Sequence, residues 1–429
     1  MKIVYLAAGA GDMVCGSCLH DNTLCAALLE AGEDVLLTPL YTPLRTDEPS
    51  VSQDRLFFGG INVFLQQHSA LFRHTPWWLD RLLDHRGLID RVARRASSTD
   101  PTQLGALTVS MLRGDAGRQK KELDKLCDYL AHEVQPDVVH LSSALLSGMA
   151  QVLRQRLGVP VVCSLSGEDI FVERVPPPYY EQVRALLSEN CRQTDALVAM
   201  NGYYADFMSD YLELDRSRIE VIPLGLRLDG FSERRTRPSS DRVTIGFLAR
   251  ICHDKGLHLL VDAVGRLARR RDLPPLELKV AGYLAKSEEP YLAEVMRDVE
   301  QGGMRDRFEY LGELDRQQKL ELLASLDVFS LPTVYRESKG LPALEAISSG
   351  VPVVLPSHGS FPEIIEATGG GLLCRPDDPA SLAEELARLV GDSSRREAMG
   401  RSGQQAVGQR YRADQMAERT LELYRRLTA

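Results

Sequence analysis

No stretch of this chain reaches the ~18 uninterrupted apolar residues that a membrane-spanning helix requires. The opening MKIVYLAAGAG has too short an apolar run, and no cleavage site, for a secretion signal. The expectation is a soluble, cytoplasmic protein that begins on a β-strand. Positive charge is also in short supply: 51 Lys and Arg stand against 60 Asp and Glu, a formal net charge of -9. That balance argues against nucleic acid as a partner, because neutralising phosphates needs a basic face. A small anionic ligand in a local basic pocket stays compatible with it. Cysteine is sparse, with eight in 429 residues. Cys163 and Cys191 lie in apolar runs and read as buried small hydrophobes in a reducing compartment. Cys15-Gly-Ser-Cys18 has the spacing of a redox or metal pair, but no second pair completes a zinc set, which favours a structural reading.

What is present is the composition of a globular enzyme, 44% hydrophobic and 26% charged. A chain of 429 residues exceeds what one core usually supports, so two domains are expected. The first, over 1–225, opens as strand, glycine-rich turn, helix and strand: Lys2–Ala8, a helix near Asp21–Ala31 and Asp34–Pro39. Further apolar strands follow at Asp137–Leu141, Val159–Leu165, Ala196–Met200 and Ile219–Pro223. Continuous apolar strands suit a parallel sheet covered on both faces. Between about 56 and 125 lies an irregular helical insert. It carries Trp77 and Trp78 with Arg73, Arg81, Arg86, Arg91, Arg94 and Arg95 interleaved. A peripheral membrane or acceptor-gripping role is compatible with it, but an amphipathic segment packed on its own domain is favoured. A charged, proline-containing linker from Arg227 to Arg242 leads into a second alternating series from Val243 to Leu355, within a domain over 226–412. The tail helix, within 413–429, is expected to pack back on the first domain. The fold class is therefore α/β, two doubly wound parallel-sheet domains.

The most informative segment is Tyr335-Arg-Glu-Ser-Lys-Gly-Leu-Pro-Ala-Leu-Glu345. Pro342 marks a helix start, the position proline tolerates best. The amides of Gly340 and Leu341 then project from a helix N-terminus, where the dipole and the free N–H groups favour a diphosphate. Glu337 in the loop and Glu345 in the first helical turn can accept hydrogen bonds from hydroxyls at two ends of one ligand. A second segment, Gly246-Phe-Leu-Ala-Arg-Ile-Cys-His-Asp-Lys-Gly256, places Arg250 and Lys255 just past a strand's carboxyl end, where open α/β sheets bind ligands. Arginine offers a planar fork to phosphate and lysine a point charge. Asp-x-Asp, a common magnesium-holding pair, occurs nowhere in the chain, so two cations and helix amides can take the metal's place. Each of these residues alone also fits a plain surface or helix-dipole role.

Taken together, Arg250…Lys255-Gly256, Glu337…Glu345, Leu344-Glu-Ala followed by Ser349-Gly-Val-Pro352, and Val221-Ile-Pro-Leu-Gly225 resemble the retaining family-4 glycosyltransferases of the GT-B fold. The resemblance spans most of residues 196–411. It implies two Rossmann-like domains facing across a cleft and transfer of a hexose-type sugar from a UDP- or GDP-sugar to a small-molecule or glycan acceptor. No metal or cofactor is implied. Arg250 and Lys255 would bind the diphosphate. Glu337, with the Ser338–Lys339–Gly340–Leu341 stretch, would hold sugar and phosphates, and Glu345 would take the ribose. The base would lie near Tyr310 and Leu311, with Gly282 and Gly225 lining the cleft.

The first half matches through its glycine-rich turn, Gly9-Ala-Gly11 with Gly16, and through Asp137-Val-Val-His140, similar to a family strand ending in histidine. His140 reads equally as a functional residue or as a satisfied histidine at a strand end. Ser166-Gly-Glu-Asp169 stands where many relatives carry His-Gly, so Ser166 replaces the histidine that contacts the donor sugar, and Glu168 or Asp169 are candidates to share its role. Leu224 stands where relatives often have Asn. Phe57-Phe-Gly-Gly-Ile-Asn-Val-Phe-Leu is similar to a stretch of bacterial glycogen and starch synthases, which implies a sugar acceptor. Alternatives on the same fold are a nucleotide-sugar 2-epimerase, a glycan phosphorylase and a non-catalytic nucleotide-sugar-binding protein.

Overall fold

The computed structural model describes residues 1–9, 15–53, 57, 58, 67, 101–231 and 242–429. Trp77, Trp78, the six interleaved arginines, Gly11 and most of the Arg227–Arg242 linker lie outside the described residues. The chain forms two units, Met1–Gly225 with Ala413–Ala429, and Leu226–Arg412.

In the first unit six parallel strands run in the order β2-β1-β3-β4-β5-β6: β1 Lys2–Ala7, β2 Asp34–Pro39, β3 Val138–Leu141, β4 Val161–Leu165, β5 Ala196–Ala199 and β6 Ile219–Val221. Side chains alternate along a strand, so each strand feeds two cores. Val4 and Leu6 join Val139, Leu141, Cys163 and Leu197 on one face. Ile3, Tyr5 and Ala7 join Val138, Val162 and Val198 on the other. The second face is roofed by helix Gly16–Glu30, through Leu24, Cys25 and Leu28, and by the C-terminal helix Ala413–Thr428, through Met416, Leu421 and Tyr424. Burial on both sides is why the strands read as unbroken apolar runs.

In the second unit the order is β12-β11-β10-β7-β8-β9: β7 Val243–Leu248, β8 Leu276–Ala281, β9 Phe308–Tyr310, β10 Val328–Ser330, β11 Val353–Pro356 and β12 Gly371–Cys374, again all parallel. The chain lays strands outward from β7 to β9, then returns beside β7 with β10. That return between β7 and β10 is the topological switch point, where loops at the carboxyl ends diverge and open α/β sheets take ligands.

Three details differ from the sequence reading. The first helix starts at Gly16 rather than near Asp21, because Cys15 supplies an extended N-cap and Gly16-Ser17 enter the first turn. Part of the expected irregular insert is regular: Pro101–Leu112 and Lys120–Tyr129 are helices of the first unit. Glu345 falls outside the first turn of helix Leu341–Ser348, because that helix starts at Leu341, with Pro342 close behind it.

Candidate active site

The geometry of the second unit's switch point follows from backbone contacts between neighbouring loops. Gly256, at φ +74°, lies so close to the loop after β10 that a Cβ would stand 1.8 Å from the Pro332 carbonyl oxygen. Val334 N donates to Asp254 O at 2.9 Å. On the other side Gly282, at φ +143°, leaves no room for a Cβ, which would stand 1.7 Å from Ala249 O. These approaches, open only to glycine, press the loop carrying Arg250 and Lys255 against the loop carrying Tyr335 and Glu337.

The outcome is a compact charged cluster. Lys255 Nζ donates to Glu337 Oε2 at 2.8 Å and also to the Tyr335 hydroxyl. Tyr335 in turn donates to the same Glu337 oxygen at 2.5 Å, while Lys255 Nζ sits 4.8 Å from the centre of the Tyr335 ring. Glu337 Oε1 accepts from Lys339 N at 3.2 Å. Lys255 and Glu337 are only 13% and 9% exposed as side chains. Burial alone would raise the Glu337 carboxyl, but the Lys255 ammonium and the Tyr335 hydroxyl hold it at about 2. Burial likewise pushes Lys255 down, and Glu337 with Tyr335 more than reverses this, so the lysine stays above its ordinary range. Both groups are charged at neutral pH.

Arg250 is exposed on the same loop and makes no hydrogen bond or ion pair among the described residues. Beyond Glu337, Ser338 is buried, and Gly340 (φ +71°) caps the eight-residue helix Leu341–Ser348. A Cβ there would meet Ile364 Cδ1 at 2.3 Å. The Gly340 and Leu341 amides have no acceptor among the described residues, as expected for donors at a helix start. Gly359, at φ +63°, braces Glu337 from behind, and Ser360 N donates to Glu337 O at 2.8 Å. At the ends of β8 and β9, the Tyr310 hydroxyl donates to Gly282 O at 2.9 Å and Leu311 N to Val280 O at 2.9 Å.

Glu345 is 4% exposed and bound to the buried ammonium of Lys319 at 2.5 Å. A buried pair of this kind is held by mutual need, since either charge alone would be uncompensated. Nothing in the sequence links position 319 to 345. Tyr335 stands two residues before Glu337, but no motif singles it out.

The first unit treats its candidates differently. His140 is 1% exposed; its Nδ1 meets the Tyr424 hydroxyl at 2.5 Å and its Nε2 meets Ser164 Oγ at 2.8 Å. Burial lowers its pKa to about 3, so it is a neutral core residue tying β3 to β4 and the C-terminal helix. Of its two readings, the structure favours the satisfied histidine. Glu168 is 3% exposed and collects Ala144 N at 2.9 Å, Ser143 Oγ at 2.9 Å and Ser166 N at 2.7 Å. Tyr204 lies against both Glu168 (3.2 Å) and Asp169 (2.7 Å). Asp169 is only partly buried, and burial followed by Glu168's charge raises its pKa. Gly16 occupies the first turn of its helix, and Gly225 N points to Met416 Sδ at 3.2 Å.

Residues 22–225 match the family described as glycosyl transferase 4-like domain, and residues 231–406 match glycosyl transferases group 1. The chain belongs to the family-4 type of GT-B glycosyltransferases. Among relatives, this glycosyltransferase is 26% identical over 292 residues to a glycogen synthase of Mycobacterium tuberculosis, covering 68% of this chain and 69% of that one. It is 29% identical over 372 residues to a D-inositol 3-phosphate glycosyltransferase of Stackebrandtia nassauensis, covering 79% and 80%. Its fold is shared with sucrose-phosphate synthase of Thermosynechococcus elongatus (TM-score 0.73, 18% identity, 100% and 99% covered). It is shared equally with Anabaena HepE in complex with UDP (TM-score 0.71, 17% identity, both chains fully covered).

Proposed function

We propose that this glycosyltransferase moves a hexose-type sugar from a UDP- or GDP-sugar to a small-molecule or glycan acceptor, with retention and without a divalent cation. The observation that carries the reading is the Lys255–Tyr335–Glu337 cluster at the switch point, with the open amides of Gly340 and Leu341 at the end of the loop that carries Tyr335 and Glu337. Lys255 and Arg250 take the diphosphate oxygens, as a point charge and a planar fork. The Gly340 and Leu341 amides add donors at the helix start. Glu337 Oε1 accepts a sugar hydroxyl, Glu345 the ribose, and the base lies near Tyr310 and Leu311. The bond from the sugar's C1 to the diphosphate oxygen breaks as the acceptor oxygen bonds to C1 from the same face. The acceptor's proton passes to the departing phosphate oxygen. Catalysis then consists of positioning and of stabilising charge on the leaving group. The UDP complex of Anabaena HepE and the glycogen-synthase relative support a nucleotide-sugar donor and a sugar acceptor.

The test is a thermal-shift panel of UDP, GDP, ADP, UDP-glucose, UDP-galactose, UDP-N-acetylglucosamine and GDP-mannose, with EDTA present. A ligand that binds the native state raises its stability by mass action, ~2.7 kcal/mol at a hundred-fold excess over Kd. A shift with UDP or GDP and its sugars, undiminished by EDTA, is expected. No shift with any of them, or a shift only after adding magnesium, overturns the reading.

A further inference from the structure

Lys255 and Glu337 are predicted by their motifs, but the residue that closes the cluster is neither. Tyr335 stands between them with a single hydroxyl used in both senses: it accepts from Lys255 Nζ and donates to Glu337 Oε2 at 2.5 Å. Its ring centre lies 4.8 Å from the ammonium, which meets the side chain at the hydroxyl end. The three groups thus form a closed triangle, in which each side chain is fixed by the other two.

Proton accounting shows what the triangle leaves over. An ammonium has three N–H donors. One goes to Glu337, one to Tyr335, and the third has no partner among the described residues. Oε2 of Glu337 is saturated by Lys255 and Tyr335, whereas among the described residues Oε1 accepts only a long 3.2 Å bond from Lys339 N. Without the hydroxyl, the flexible four-carbon lysine stem would pivot about Oε2 alone, and the direction of its third N–H would be unset.

We propose that Tyr335 is a positioning residue that fixes Lys255 and Glu337 as one preassembled unit, directing one lysine N–H to the departing diphosphate and one glutamate oxygen to the sugar. This inference rests on the assignment of Lys255 to the diphosphate given above. Preorganisation of this sort acts on the transition state more than on ground-state binding. The hydroxyl's loss should therefore appear in kcat before it appears in KM.

The experiment is a double-mutant cycle on hydrolysis of whichever of UDP-glucose, UDP-galactose, UDP-N-acetylglucosamine or GDP-mannose the wild-type chain cleaves fastest. Tyr335→Phe keeps the ring in place and removes only the hydroxyl. It is expected to lower kcat about tenfold while donor KM stays within about threefold. In the Lys255→Ala background the same change should cost less than about twofold, because a residue acting through the lysine has nothing left to act on. A Tyr335→Phe variant with wild-type kcat, or one equally harmful in both backgrounds, overturns the inference. Lys255→Ala retaining near-wild-type turnover, or no donor being cleaved by wild type, instead sinks the underlying assignment. Should Tyr335→Phe fail to fold, Tyr335→Met, of similar reach and without a hydroxyl, serves in the same cycle.

Discussion

The two units have the same layout, a six-stranded parallel sheet whose strand order turns back once, between β1 and β3 in the first and between β7 and β10 in the second. They differ in what they do with polar groups near the strand ends. In the first unit His140 has both ring nitrogens occupied, and Glu168 is met by backbone and hydroxyl donors from three segments. In the second, Lys255, Arg250 and the Gly340 and Leu341 amides are left with donors that no described residue uses. A polar group with all its valences satisfied inside the protein contributes to stability. One with donors left over and a charge that its surroundings maintain is available to a ligand. The comparison predicts that substitutions in the two places fail in different ways.

The largest effect belongs to the second unit. Lys255→Ala is expected to reduce turnover of the best donor by ~10²–10³, the cost of removing one preorganised donor at a developing charge. Initial rates measure it, with melting recorded in parallel because Glu337 loses its buried counter-ion. Turnover within a few-fold of wild type would erase the distinction between the units.

The next effect belongs to the first unit and appears in acid stability. His140 titrates near 3 when folded, against an ordinary 6.5 when unfolded. The unfolded chain therefore binds this proton first. Stability from the neutral imidazole is fully present above about pH 6.5 and is lost progressively as pH falls towards 3. A single such group contributes a slope of at most ~1.4 kcal/mol per pH unit. His140→Gln should flatten the fall in unfolding free energy between pH 6.5 and 5, read by urea denaturation, with nucleoside diphosphate affinity unchanged. An acid limb as steep as wild type would show that His140 is not its source.

The smallest effect is none. Cys15 and Cys18 form no disulfide with each other, and Cys18 is buried, its thiol pushed up first by its hydrogen bond with Cys15 and then by burial. Cys15→Ser should leave turnover within about twofold, with and without a reductant such as dithiothreitol. A larger change would place redox chemistry in the first unit.

Several elements were legible from local pattern. Asp34–Pro39, Val243–Leu248 and Leu276–Ala281 begin and end where the sequence places them. Helices Pro379–Val390 and Ser393–Arg410 went unread, although Asp378 and Asp392 cap them in the manner short polar residues favour. Helix Ser393–Arg410 has too weak an apolar stripe to announce itself: its buried residues are Arg396, Gly400, Gly403 and Val407. Tyr179–Gln193 and Gly202–Tyr211 are equally unmarked, each lying between strands whose apolar runs are the stronger signal.

Fold class and family are legible in the chain alone, because strand periodicity, glycine placement and motif spacing are local and survive being read in one dimension. The chain also brings Glu337 and Gly340 into one loop, since they are three residues apart. Folding in three dimensions was needed for Tyr335 to join Lys255 to Glu337, for Lys319 to neutralise Glu345, and for Tyr424 to close over His140 from 284 residues away. Those pairings depend on which strands lie side by side and which loops glycine allows to touch. Charge and burial, and hence protonation, are properties of that neighbourhood rather than of the residue.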